Sequence, residues 1–124
     1  MNVVDSSGWL EYFADSINAP TFAKVIEDTD NLIVPSICVY EVAKRVMQQR
    51  PEESGSDVVG IMKQGQVVEL SLGIALQAAR LSIRHKLAMA DAIILATAQA
   101  YDAILWTQDA HFENIKGVRY LEKK

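Results

Sequence analysis

The stretch from Ala88 to Phe112, AMADAIILATAQAYDAILWTQDAHF, limits the possible folds more than any other part of the chain. Wound at about 100° per residue, positions 89–101 show no wide polar face, because Ile93, Ile94, Leu95, Ala96, Ala98 and Ala100 spread around the axis. A helix apolar on all sides belongs inside a domain. Ala103-Ile-Leu-Trp106 follows it as a short apolar run of strand type. Two carboxylates interrupt this apolar region. Asp91 lies in the first turn of the helix, and Asp109 lies just past the carboxyl end of the strand. An unpaired charge on a buried helix is costly, and the carboxyl ends of strands are where open α/β sheets bind ligands.

The rest of the chain repeats the alternation. A first strand is expected at 2–5, followed by a helix capped by Ser6 or Ser7 that carries Trp9, Leu10, Tyr12 and Phe13. Asn18-Ala-Pro20 breaks the chain, and Pro20 suits the first turn of a helix running through Ile26. Leu32–Val34 reads as a second strand, with Ser36 capping a long helix to about Gln49. Pro51–Asp57 reads as a loop between helices, 57–64 as a modest helix, and 66–70 as a third strand. Ser71 caps a helix over 72–85. After the buried helix and its strand come a single turn behind Asp109 and an edge strand near 118–121. Strands alternating with helices predict one domain over residues 1–124, an α/β sandwich of three layers around a mostly parallel sheet.

Totals exclude some classes. Half the residues are hydrophobic, which rules out disorder as the main state. The single Cys38 cannot form an internal disulfide and reads as a small core residue in a reducing compartment. No apolar run reaches the length of a membrane span, and no basic segment with an apolar core leads the chain, so a cytoplasmic protein with no membrane partner is expected. A net charge of −4 argues against a simple basic clamp for nucleic acid. The argument weakens if four of the acids serve a bound cation, since −4 + 4 leaves zero. There is no Gly-rich phosphate loop, no Cys/His cluster and no nucleophile elbow.

The acids differ in what surrounds them. Asp5 ends a strand and starts a helix, where an Asx turn or cap competes with a ligand role. Asp109 can cap the turn behind it, and Thr107 is placed to bond it or a neighbouring carboxylate. Glu41 falls opposite the apolar arc Val39, Tyr40, Val42, Ala43, Val46 and Met47, so periodicity makes it a solvated residue paired with Arg45. His85 reads as a helix-end residue, and His111 as a packing or hydrogen-bonding group near the site. Asp5, Asp91 and Asp109 all map to one edge of a parallel sheet. Carboxylates about 4 Å apart repel by about 4 kcal/mol at an effective dielectric of 20, so a cluster needs protons or a cation. Hard oxygen ligands select Mg²⁺ or Mn²⁺.

The segments Asp5-Ser-Ser7, Glu41, LAMADAIILATA at 87–98 and TQDAHF at 107–112 resemble the PIN domain, and more narrowly the VapC toxins of toxin–antitoxin pairs. The resemblance covers essentially the whole chain. It implies a three-layer α/β/α fold and a Mg²⁺- or Mn²⁺-dependent endoribonuclease whose acidic quartet is Asp5, Glu41, Asp91 and Asp109. It thereby moves Glu41 into the site, against the helical-wheel reading. It also implies a homodimer and a cognate antitoxin that covers the groove. On this reading Asp5, Asp91 and Asp109 hold the metal directly or through water, and Glu41 orients a water or a second ion. Ser7 and Thr107 brace the carboxylates, and Lys44, Arg45 and Arg84 are candidates for RNA phosphate contacts. The competing expectation is a catalytically inactive PIN-like scaffold that binds a protein partner, motivated by the aromatics Trp9, Tyr12 and Phe13. A phospho-acceptor domain fits poorly, because strand 66–70 ends without an aspartate.

Overall fold

A computed structural model describes residues 1–124. Five strands alternate with helices: β1 (Asn2–Val4), α1 (Ser6–Ala14), α2 (Ala19–Ile26), β2 (Leu32–Pro35), α3 (Ser36–Gln49), α4 (Glu53–Met62), β3 (Gln66–Val68), α5 (Leu72–His85), α6 (Met89–Ala100), β4 (Ile104–Thr107) and β5 (Val118–Tyr120). Single 3₁₀ turns occupy Thr29–Asn31 and Ala110–Phe112. The strands pair in the order β3-β2-β1-β4-β5, and every pairing is parallel.

That order decides where a site can form. The connections β1→β2→β3 step one way along the sheet. The connection β3→β4 then crosses back to the far side of β1. Right-handed crossovers therefore put α1–α4 on one face and α5–α6 on the other, which gives three layers. The reversal occurs between β1 and β4, whose registers pair Val3 with Leu105 and Val4 with Trp106. A crevice opens at the carboxyl ends of two strands whose connections leave in opposite directions.

The central elements are apolar for the reason parallel sheets require: both faces are covered. All four residues of β2 are buried. In α6, Ala92 to Ala98 are buried without a break, as its unbroken apolar circumference demands. Ile94 and Leu95 are almost wholly enclosed, and burying each contributes about 1.5–3 kcal/mol. Gly8 lets α1 lie close to the sheet, since a Cβ there would come within 2.6 Å of Val4 and 2.7 Å of Phe22.

Local chemistry departs from expectation in two places. Ser71 caps α5 as expected, its Oγ accepting from the Ile74 amide at 3.1 Å. Ser36 makes no side-chain cap to α3, which starts behind Pro35 in an extended conformation. The expected loop at 51–57 is mostly helix, because α4 begins at Glu53 and buries Gly55 against Met47 of α3. Packing overrides the turn-like composition there. No helix is long and apolar enough to cross a membrane.

Candidate active site

β1 ends at Val4, and Asp5 turns the chain into α1. Its backbone is extended (φ −75°, ψ 175°), and its own carboxylate caps the helix. Neither Ser6 nor Ser7 is the cap. Asp5 Oδ1 accepts from the Gly8 amide at 3.0 Å and from Ser7 Oγ at 2.7 Å. Asp5 Oδ2 accepts from Thr107 Oγ1 at 2.7 Å. These bonds favour the ionised form, yet Asp5 is only 2% exposed. Burial wins, helped by the Asp109 charge, and lifts the carboxyl from 3.8 to about 6.

Thr107 links the two strands of the crevice. While donating to Asp5, its Oγ1 accepts from the Asp109 amide at 2.9 Å. Asp109 in turn caps the turn Ala110–Phe112, with Oδ1 accepting from the His111 amide at 2.9 Å. The His111 imidazole folds back, its Nδ1 3.1 Å from the same oxygen. Asp91, in the first turn of α6, faces this pair from the opposite layer. One ligand atom from each of Asp91, Asp109 and His111 lies within 4.8 Å of the others. The Asp91 carboxyl is pushed up to about 6 by burial, then by the charges of Asp109 and Glu41, with His111 opposing.

Glu41 does not pair with Arg45. Its Oε1 accepts from Ser6 Oγ at 2.6 Å, and its charge is felt at Asp91. The residues α3 buries are Cys38, Val42 and Val46, while Tyr40 and Met47, both on the expected apolar arc, are 60% and 42% exposed. The true inward face is therefore rotated from the one the wheel suggests, and Glu41 borders the crevice instead of bulk water. Cys38 lies beneath the acids, fully buried, and burial followed by the charges of Asp5, Glu41 and Asp91 pushes its thiol well up. It is an inert core group.

The crevice thus gathers Asp5, Ser7, Glu41, Asp91, Thr107 and Asp109. Asp5 and Glu41 flank the tight set without joining it. Lys44 and Arg45 are exposed on α3, three and four positions beyond Glu41 and so on its side of the helix. Arg84 lies apart from them. It lines a cavity with Asp102, Ala103 and Lys116 at the amino-terminal ends of β4 and β5, the opposite edge of the sheet from Asp109. Trp9 is wholly buried and stacks on Phe13 at 5.8 Å between ring centroids, so it belongs to the core and not to a partner surface. One contributor escaped the sequence reading, Ser6, which fixes Glu41; His111, expected near the site as a packing or hydrogen-bonding group, joins the tight set.

Whether a cation suits these residues can be tested on the donor set. Unit charges 4.8 Å apart repel by about 3 kcal/mol at an effective dielectric of 20. No lysine or arginine answers them: the one ion-pair contact in the structure is that of His111 with Asp109. Of about four acceptor positions on the Asp5 carboxylate, three are taken, which leaves one. Carboxylate oxygens beside one exposed imidazole fit a hard divalent ion such as Mg²⁺ or Mn²⁺.

Comparison with solved structures returns the same architecture. A toxin–antitoxin complex from Klebsiella pneumoniae contains a chain with a TM-score of 0.79 at 23% identity, covering 96% of each chain. VapBC2 from Rickettsia felis, solved bound to a DNA fragment from its promoter, gives 0.76 at 13% identity and 98% of each chain. VapC20 of Mycobacterium tuberculosis, described as a toxin cleaving the sarcin–ricin loop, gives 0.72 at 14% identity, covering 90% of this chain and 92% of that one. Comparison with curated protein sequences gave no match. The PIN domain family model matches residues 3–118, which spans β1 and α1 through the start of β5 and takes in every acid of the crevice. On that match, the chain belongs to the PIN domain family.

Proposed function

We propose that this protein is a divalent-metal-dependent endoribonuclease and the toxin of a toxin–antitoxin pair. The observation that carries the proposal is the convergence of Asp91 and Asp109 within 4.8 Å at the sheet's reversal point, with Asp5 and Glu41 beside them. Asp91 and Asp109 would hold Mg²⁺ or Mn²⁺ directly, and Asp5 would do so through its remaining acceptor position or a water. When bound, such an ion supplies an activated water and a counter-charge for phosphate oxygens at neutral pH.

The chain's own residues perform the positioning. Ser7 and Thr107 lock the Asp5 carboxylate, and Thr107 also anchors the Asp109 backbone. Ser6 aims Glu41 so that it can orient the attacking water and accept its proton. Lys44 and Arg45 would steer RNA phosphates towards the crevice. In-line attack at phosphorus would leave a 5′ phosphate and a 3′ hydroxyl.

Two surfaces support the partners. A groove of about 250 Å³ between α1, α3 and α4 is lined by Leu10, Phe13, Val46, Val58 and Ile61, with Arg50 at its rim. It suits an amphipathic helix of an antitoxin. On α5, Leu72, Leu76 and Ile83 form one exposed stripe, 79%, 53% and 83% accessible, which suits a homodimer contact. Of the three aromatics that motivate the inactive-scaffold reading, Trp9 is buried and Phe13 lines the groove, so a partner surface and the complete acidic set sit on the same protein.

The test is cleavage of RNA by the purified protein with Mg²⁺ or Mn²⁺, with and without EDTA, beside Asp91→Asn. The proposal expects cleavage by the wild type that EDTA abolishes and that Asp91→Asn lacks. Equal cleavage in EDTA, or an undiminished Asp91→Asn variant, would overturn it.

A further inference from the structure

A second cleft adjoins the acids. Its volume is about 510 Å³, within the usual range for a ligand site, and Ser7, Gln108, Asp109, Tyr120, Glu122 and Lys123 line it. Asp109 is common to this cleft and to the tight acidic set, so the two are continuous. Resting on the nuclease reading above, we infer that this cleft receives one base of the RNA beside the scissile phosphate, stacked on the ring of Tyr120.

The wall of the cleft is built, not incidental. Tyr120 pairs in register with Thr107, and the Leu121 amide donates to the Thr107 carbonyl at 2.8 Å. The tail beyond β5 is held by a buried polar network. Asn18 Nδ2 donates to the Glu122 carbonyl and to Gln108 Oε1, each at 3.0 Å. Gln108 Nε2 donates to Glu11 Oε1 at 3.1 Å, and Glu11 Oε2 accepts the Asn18 amide at 2.8 Å. Glu11, Asn18 and Gln108 are 7%, 8% and 6% exposed. A buried carboxylate at the α1–α2 corner is costly unless its bonds are needed. What these bonds fix is the position of Gln108, one residue before Asp109, and of the strand end that carries Tyr120.

Charge selects the occupant. With Asp109 committed to the metal, Glu122 and Lys123 balance one another and the cleft offers a phosphate no net positive charge. A neutral base needs none, and stacking on an aromatic ring is the usual way single-stranded RNA is gripped. Because Asp109 borders both sites, a base seated here has its own phosphate at the acids.

The inference is tested with the full chain and a short mixed-sequence oligoribonucleotide. Binding is measured in a Glu41→Gln background with Mn²⁺, using the intact oligomer and versions made abasic at each position flanking the cut. Cleavage by the chain with Glu41 intact is followed in parallel. Removing the base at one position should weaken binding roughly 5- to 100-fold when Tyr120 is present and have no effect in Tyr120→Ala. Tyr120→Phe should restore the sensitivity, and Tyr101→Ala, an exposed tyrosine at the far end of α6, should leave it intact. If the wild type cuts RNA but Tyr120→Ala retains full affinity, the subsite is wrong and the nuclease reading survives. If the wild type cuts nothing yet binding depends on Tyr120, the nuclease reading fails and the base site stands. Failure of both removes both.

Discussion

Replacing Asp5 by Asn should make the metal-free protein more stable at neutral pH and leave it little changed in acid. The Asp5 carboxyl titrates at 3.8 in an unfolded chain and is lifted to about 6 by burial in the folded one. Below the unfolded value the group is protonated in both states. Between the two values the native state holds a proton that the unfolded state has lost, so stability falls as pH rises through this window. Above about 6 both states are ionised and the native state carries the full penalty. At about 1.4 kcal/mol per pH unit, that penalty is about 1 kcal/mol at pH 4.5 and about 3 kcal/mol at pH 7.5. Asn removes it but mispairs one of the bonds to Ser7, Gly8 and Thr107, which costs about 1 kcal/mol. The net gain is therefore about zero at pH 4.5 and about 2 kcal/mol at pH 7.5. Asp91 is also lifted, but it is half exposed, so its penalty is screened, and it is present in both proteins. Urea unfolding in EDTA at both pH values measures the difference. Mn²⁺ at a hundredfold excess over Kd should then stabilise the wild type by about 2.7 kcal/mol and Asp5→Asn by less. An Asp5→Asn variant equally stable or less stable than the wild type at pH 7.5, or a difference independent of pH, would refute the reasoning.

Other consequences follow from particular contacts. Thr107→Val keeps the shape of a buried side chain but frees the Asp5 carboxylate and the Asp109 amide. Its Mn²⁺ affinity should fall about 10- to 100-fold by calorimetry, with an unchanged circular dichroism spectrum. Gly8→Ala drives a methyl into Val4 and Phe22 and should cost about 1–3 kcal/mol in urea unfolding. Leu76→Lys places a charge in the exposed stripe of α5 and should shift a dimer to monomer in sedimentation equilibrium, with the monomer still folded.

The strands and most helices were legible because their periodicity is strong. Residues 89–100 could only be a buried helix, and LIV at 32–34 only a covered strand. The start of α4 was not, because Ser-Gly-Ser at 54–56 has the composition of a loop and becomes helical only by packing Gly55 on Met47. The three aspartates were placed correctly at one rim because strand ends and helix starts of a parallel sheet share an edge. Glu41 was hidden for a physical reason. A wheel separates apolar from polar faces but does not separate bulk water from a wet crevice. Only its partner Ser6, 35 residues away, marks the difference. Arg84 shows the opposite limit. Its charge carries no information on which edge of the sheet it occupies, and the topology puts it at the edge away from Asp109.

The acids at the β1–β4 reversal coexist in this account because a hard divalent ion joins them. Crystals soaked in Mn²⁺ near pH 7, measured for anomalous scattering, test that directly. The account predicts an anomalous peak within coordination distance of the Asp91 and Asp109 carboxylates, lost in Asp91→Asn crystals. A crevice with no peak at millimolar Mn²⁺, or a peak bound elsewhere with Asp91 and Asp109 untouched, would contradict it.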